Sequence, residues 1–438
     1  MEGKQRVPVP KTDTWQMIES FLCWLKEHGF ETYDPYDFWA TPFGILGRKL
    51  YYRNSFLGAL FVFPILFLEN VWPQSRTFLV KKKRYPTADA QMILGLLNLY
   101  SIYKLPEQLA AAVLLGRDLM ASSIPGFSGH AWGYPFDWLN NRGLWKKQTP
   151  FVTVTPYCFE AFLALYDATQ EASYLEIATS AARFVAKDMN ETTTSGLASA
   201  TSYSPLDRSQ VVNASAYRAF TLYEAFSRFG EEEYRKKAMR NLYFVLECQR
   251  PEGSWLYAME NPKDAFIDHF HTCFVLKNLW KLNRRLKSDD VLAAIHKGHI
   301  FYRKHLFDTH GLPKPFATMS NLQLVKHEMY DFAEALLLES LVADEISGAY
   351  EFAHHLAKEI HDHFRLSDGH FVTRVNRFGL INTVPYLRWP QAQMFYALTM
   401  LLKTELTKSL SPEPYRIGVG KQEIEGQLKE HVWHSGIL

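Results

Sequence analysis

YRKKAMRNLYFVLECQRPEGSWLYAMENPKDAFIDHFHTCFVLKNLWKL, residues 234–282, decides the fold. Up to Gln249 its apolar side chains recur at helical spacing on one face, as in an amphipathic helix. Gly253 then acts as a helix stop, "GSWLYA" supplies a short β-prone stretch, and a polar loop leads into "HTCFVLKNLWKL". That second helix is apolar on nearly every side. A one-faced helix followed by such a helix reads as the outer and inner members of one hairpin.

The unit recurs. Gly196, Gly253, Gly311 and Gly369 are separated by 57, 58 and 58 residues, and each follows an amphipathic stretch and precedes a more apolar one. Upstream, "EQLAAAVLLGRDLM" and "YCFEAFLALYDAT" form another outer and inner pair, with "TADAQMILGLLNLY" and "TWQMIESFLCWLKEHG" as remaining partners. About six hairpins of roughly 58 residues predict an all-α fold. The simplest closed arrangement is a double ring, an (α/α)6 toroid over residues 15–408, with an open solenoid as the alternative. Residues 1–14 read as an N-terminal arm. Residues 409–438, broken by Pro412, Pro414, Gly418 and Gly420, read as a peripheral tail.

Composition fits a folded chain with a large core: 47% of the 438 residues are hydrophobic, 15% aromatic and 21% charged. A net charge of +2 from 48 basic and 46 acidic residues supplies no field for nucleic acid, so no nucleic-acid partner is expected. "KKKR" at 81–84 reads as a solvated loop. The four cysteines sit singly in helical patterns and read as reduced core residues. The opening "MEGKQRVPVPKTDT" contains no apolar signal-like segment, so the expected compartment is the cytoplasm. One run, "FLGALFVFPILFL" at 56–68, bears on that expectation. It is too short to cross a bilayer, which takes about 20 residues, and reads as a buried helix or as a peripheral contact with a membrane surface.

In a toroid the polar loops before the inner helices gather at one end of the ring. Those loops carry Trp132, Tyr134, Asp137 and Trp138; Tyr203 and Asn213; Trp255, Asp268, His269 and His271; Lys314, His327, Tyr330 and Asp331; and Arg374, Arg388 and Trp389. Aromatic faces pack on sugar rings while fixed polar groups read hydroxyls, so the mixture points to an oligosaccharide or polysaccharide. Lys314, Arg374 and Arg388 point to an acidic one. For hydrolysis of a glycosidic bond two carboxyls are needed. Asp137, in the aromatic nest "YPFDW", is the expected acid with its pKa raised by desolvation, and Asp268 the ionised partner. For isomerisation beside a carbonyl or carboxylate the candidates are His271, His327, Tyr203 and Tyr134. At each position a helix cap, a hydroxyl contact or a plain packing role competes with catalysis. Neither a cofactor nor a metal is expected, because residues two apart such as His269 and His271 face one way only in extended backbone.

Two resemblances enter on these residues. "QRPEGSW" at 249–255 resembles the Q-x-x-x-G-x-W repeat motif of squalene and oxidosqualene cyclases, which implies a helical hairpin; the acidic motifs of those enzymes are absent. "YDPYDFW" (33–39), "GFSGHAWGYPFDW" (126–138), "SYSPLD" (202–207), "VVNAS" (211–215), "IDHFHT" (267–272), "HGLPKPF" (310–316) and "YLRW" (386–389) resemble a bacterial family of α/α-toroid proteins of the six-hairpin glycosidase and terpenoid-cyclase type, placed in exopolysaccharide and capsule gene clusters. "VVNAS" and "FHTCF" depart from that family's N-A-N and F-H-T-G forms. The architecture is also similar to unsaturated glucuronyl hydrolases and N-acylglucosamine 2-epimerases. The resemblance implies an enzyme of cell-surface polysaccharide biosynthesis or trimming, on a substrate that is lipid-linked or free. Hydrolysis of an acidic oligosaccharide leads, followed by uronic-acid or sugar epimerisation, a non-catalytic glycan-binding or assembly protein, and an isoprenoid cyclase.

Overall fold

The computed structural model describes residues 12–319 and 323–410, so the expected arm and tail lie outside the described residues except at 12–14 and 409–410. Its helices are α1 Asp13–His28, α2 Pro42–Arg53, α3 Ser55–Val71, α4 Arg76–Leu79, α5 Pro86–Tyr103, α6 Pro106–Ala121, α7 Thr155–Thr169, α8 Ala172–Lys187, α9 Val212–Phe229, α10 Glu232–Glu247, α11 His269–Leu286, α12 Asp289–His305, α13 Met329–Leu341, α14 Ala349–Glu359 and α15 Ala392–Leu410. Up to Thr404 the chain is one compact unit; Glu405 opens a second, described only through the last residues of α15.

Twelve of these helices form the expected (α/α)6 toroid. The inner ring is α5, α7, α9, α11, α13 and α15, and the outer ring is α1, α6, α8, α10, α12 and α14. Burial separates the two sets as the sequence pattern does. Helix α13 buries every residue from Met329 to Ser340, whereas α10 buries a stripe through Tyr234, Ala238, Asn241, Leu242 and Val245. Buried charged side chains are paired: Lys277 of α11 with Glu334 of α13 across the inner ring, and Glu339 of α13 with His299 of the outer helix α12 at 3.0 Å. Unpaired, such groups would cost several kcal/mol each.

The ring closes where the first and last inner helices, α5 and α15, meet. Asn98 of α5 lies 3.3 Å from Thr399 of α15, and Gln91 bonds Gln393. On the outside, Phe21 of α1 packs on Phe371 and on Phe395 of α15. Short antiparallel strands fill the loops ahead of the inner helices: β1 Trp138–Asn140 with β2 Gly143–Trp145, β3 Glu191–Thr193 with β4 Ser199–Thr201, and β5 Val325–Glu328, β6 Arg374–Asn376 and β7 Ile381–Asn382 in one sheet.

At two of the four repeat glycines, Gly253 and Gly369, the loop backbone presses on the next outer helix. Gly253 has φ +103°, and a Cβ there would lie 2.4 Å from the Lys297 carbonyl oxygen of α12, the next outer helix. Gly369, at φ +104°, meets the Ser20 carbonyl of α1 in the same way, at 2.3 Å, which seats α1 as the neighbour that completes the outer ring. Around Gly253 the Q-x-x-x-G-x-W residues act as a clip. The Gln249 side chain donates to the carbonyls of Gly253 and of Ala294 in α12, at 3.1 and 2.9 Å, and the Trp255 indole donates to Val245. The sequence of residues 56–68 is helical, as expected, and α2 to α4 form an insertion between the first outer and first inner helices; only one face of α3 is buried.

Gly253→Ala is expected to destabilise the fold by about 2–4 kcal/mol, from a disfavoured φ together with a backbone clash. Gly196→Ala, at the same place in the preceding repeat, should stay within about 0.5 kcal/mol of the parent, since a Cβ there meets nothing within 4 Å. Paired chemical-denaturation curves check both.

Candidate active site

The loops before the inner helices, with the first turns of those helices, enclose a cavity of about 240 Å³. Its walls are mostly aromatic, and ring packing holds them still. Trp389 stacks on Tyr330 at 3.8 Å, Phe270 meets Trp389 edge-on at 5.1 Å, and Tyr134 stacks on Phe136 at 5.4 Å. Burial raises the hydroxyl pKa of Tyr134, Tyr203, Tyr257 and Tyr330, so these hydroxyls stay protonated and available as donors.

At the start of α11 the sequence "DHFH" resolves into distinct tasks. Asp268 caps the helix, accepting from the His271 amide at 3.2 Å, and its second oxygen lies 2.6 Å from His271 Nδ1. That contact orients the imidazole and leaves Nε2 as its other functional nitrogen, on a residue that lines the cavity. His269 turns away. It lies within hydrogen-bond distance of the Leu306 carbonyl and the Tyr302 hydroxyl, and burial drives its pKa down to about 3, against two backbone hydrogen bonds that work the other way. The alternation of directions explains why one histidine is buried scaffold and the next but one faces the cavity.

Arg388 lines the same cavity. Its guanidinium makes a two-point contact with Asp34, at 2.6 and 2.8 Å, and lies 5.0 Å from the Tyr134 ring centre. The cavity's second guanidinium, Arg142, is held by Glu260 and Asp264, each at 2.7 Å. Both charges are already met by the protein's own carboxylates.

Of the residues expected to bind substrate, Tyr134, Trp138, Tyr203, Tyr330, Arg388 and Trp389 line this cavity. Asn213 and Trp255 line a small adjoining recess of about 10 Å³ with Asp268 and His271. The others serve the scaffold. Trp132 is fully buried with its indole on the Leu119 carbonyl, and Arg374 is committed to Glu328 at 2.6 Å. Lys314, His327 and Asp331 do not border the cavity. Asp331 is buried near Asp268 with neither oxygen hydrogen-bonded; burial first, then the charges of Glu328, Asp268 and Glu334, raise its pKa well above the usual range.

Asp137 departs most from expectation. It lies outside the cavity lining, its carboxylate 2.8 Å from Lys146 Nζ and 2.8 Å from the Lys147 amide. Burial is the largest single influence and raises its pKa, but these bonds and the two lysine charges together outweigh it, and the net shift is downward. An acid held ionised is a poor proton donor. Sequence reasoning also passed over Tyr36, Arg142, Tyr157, Tyr217, Tyr257 and Phe270, all in the wall. Tyr157 and Tyr217, 2.6 Å apart at their hydroxyls, lie early in inner helices, as His271 does; reading the first turns together with the loops would have found them. Among the described residues no group of three or more His, Cys, Asp or Glu side chains is placed to hold a metal ion.

No family model and no curated protein sequence matches the chain. Solved structures do. A cellobiose 2-epimerase from Bacillus thermoamylovorans superposes with a TM-score of 0.58 at 11% identity, over 74% of this chain and 88% of its own. A GH76 α-mannanase from Bacteroides thetaiotaomicron gives 0.57 at 12% identity, over 91% and 97%. An unsaturated glucuronyl hydrolase specific for heparin gives 0.57 at 11%, over 76% and 89%. At these identities the likeness establishes the α/α toroid.

Neutral His269 makes stability acid-sensitive. Because its folded pKa, about 3, lies below the unbound value of 6.5, its contribution is complete above pH 6.5. It is lost as pH falls towards 3, at about 1.4 kcal/mol per pH unit. Between pH 6.5 and 4.5 the melting temperature of the parent should fall more steeply than that of His269→Gln, as calorimetry would show.

Proposed function

We propose that this chain is a sugar isomerase or epimerase, in which His271 moves a proton at a carbon adjacent to a sugar carbonyl. The observation that carries the reading is the Asp268–His271 pair at 2.6 Å, with His271 in the wall of an aromatic cavity. Asp268 fixes the ring and stabilises the imidazolium formed when Nε2 takes the proton. Arg388 and the neutral tyrosine hydroxyls supply donors for the substrate oxygens and for the charge that develops on the carbonyl oxygen as the proton leaves. Aromatic faces hold the sugar ring or the next sugar of an oligosaccharide.

A hydrolase needs two carboxyls flanking the bond, about 5–10 Å apart. Asp264 is the carboxylate in the main wall, and it is tied to Arg142 and to Asn141 at 3.0 Å, which favours proton transfer by a histidine over two-carboxylate chemistry. Since both cavity guanidiniums are already paired, a neutral sugar fits better than the acidic one expected from sequence. Asn140, Asn141, Thr87 and Thr153 in the wall suit hydroxyls and do not suit an isoprenoid. Both kinds of chemistry occur among proteins of similar fold, epimerases and hydrolases alike. The motif resemblance adds the setting, the making or trimming of a cell-surface polysaccharide.

In deuterated water, neutral mono- and disaccharides incubated with the purified protein should gain deuterium at the carbon next to the reducing carbonyl, read by NMR. His271→Asn should lower that exchange about 10²–10⁴-fold, whereas Asp137→Asn should leave it unchanged. Chain shortening without exchange would establish the hydrolase instead, and sugar binding with neither would establish a glycan-binding protein.

A further inference from the structure

The insertion between α1 and α5 leaves a large apolar surface uncovered. Helix α3 has two apolar faces. Val62, Ile65 and Leu68 point inward onto Phe38 and Trp39. Phe56, Leu60, Phe63, Phe67 and Val71 point outward at spacings of three and four, and the first three of them are 80%, 68% and 66% exposed. The exposed stripe runs the length of a 17-residue helix, about 25 Å. After a bend of 107° the chain continues through Pro73–Leu79, where Phe78 is 81% exposed. Among the described residues, 14 of the 26 exposed large hydrophobic side chains fall between Phe43 and Leu79. Soluble monomers do not carry contiguous apolar surface on this scale without a partner.

Charge identifies the partner. Residues 42–84 contain eight lysines and arginines and one acid, Glu69, which is buried against Arg76 at 3.0 Å. The solvent-facing charges at the patch are therefore of one sign, with Lys49 and Arg53 at the end of α2 and Lys81 and Lys82 just beyond α4 all exposed. Tyr51, Tyr52 and Trp72, each about half exposed, add amphipathic rings of the kind that settle at a lipid–water boundary. A symmetric dimer through this face would set its lysines against their own copies. No single described helix is long and apolar enough to cross a membrane, and α3 lies with one face already committed to the protein.

We propose that this surface docks the protein onto a bilayer bearing anionic lipids, with α3 lying along the headgroup–acyl boundary and Lys49, Arg53, Lys81 and Lys82 contacting lipid phosphates. The inference rests on this surface alone and is independent of the reaction assigned to the cavity. The two regions are nonetheless joined: Arg48 of α2 donates to the Leu139 carbonyl, at 2.8 Å, in the strand whose Trp138 and Asn140 line the cavity.

The test is flotation of the full chain with vesicles of phosphatidylcholine alone and of phosphatidylcholine mixed with phosphatidylglycerol. The parent should float with the mixed vesicles and be released by salt. Leu60→Glu with Phe63→Glu should reduce partitioning at least about tenfold, with helix content by circular dichroism and sugar exchange unchanged. Lys81→Glu with Lys82→Glu should reduce binding to the mixed vesicles by about tenfold or more and leave weak binding to phosphatidylcholine as it is. Failure of the parent to float with either vesicle overturns the proposal. So does a concentration-dependent dimer, without vesicle binding, that Leu60→Glu with Phe63→Glu dissolves.

Discussion

The architecture of the site depends on one ion pair, between Asp34 near the start of the chain and Arg388 near its end. It is buried and two-pronged, and it bridges 354 residues of sequence. Removing either partner would strand a charge in a low-dielectric interior, a loss of about 3–5 kcal/mol. The pair works together with Thr32, whose hydroxyl accepts from the Leu387 amide at 3.0 Å. These contacts fix the loop that presents Arg388 and Trp389, and Trp389 in turn supports Tyr330 and Phe270. This part of the cavity wall is thus a product of ring closure, and a toroid left open would lack it.

Rigidity follows from the same arrangement. A wall built of stacked rings has few rotamers left to lose, so a ligand entering it pays little in side-chain entropy. The polar groups are equally constrained: Arg388 by Asp34, Arg142 by Glu260 and Asp264, His271 by Asp268. Each keeps its orientation with no substrate present. Preorganisation of this sort suits chemistry in which charge builds briefly on an oxygen and must be met by dipoles already in place.

The toroid was legible because its repeat has a local cause. Helix-stop glycines recur about every 58 residues, and at Gly253 and Gly369 the next outer helix leaves no room for a Cβ. The division of inner from outer helices was legible for a similar reason, since apolar periodicity records burial directly. The site was legible in kind, in its aromatics, Arg388 and the Asp268–His271 pair, and less so in its assignments. Asp137 looks desolvated among its sequence neighbours, yet the β1–β2 hairpin folds Lys146 and Lys147 back onto it. Arg374 and Arg388 look like free cations until partners 46 and 354 residues away are brought to them. Burial of α3 on one side only was hidden as well, because a helix apolar all round carries no mark of which side meets the protein.

The seating of α1 has a temporal consequence. Its ring neighbours include α14, the segment after it and helix α15, the last parts of the toroid to be synthesised, so α1 leaves the ribosome hundreds of residues before much of the surface it covers exists. Successive hairpins from α6 onward can stack as they emerge, each on the one before, through contacts local in sequence. The closing contacts of α1 and of Asp34 with Arg388 are the longest-range in the molecule, and their loop-closure entropy is met only at the end. Vectorial synthesis therefore yields an open arc first, and the cavity is complete only once the ring has closed.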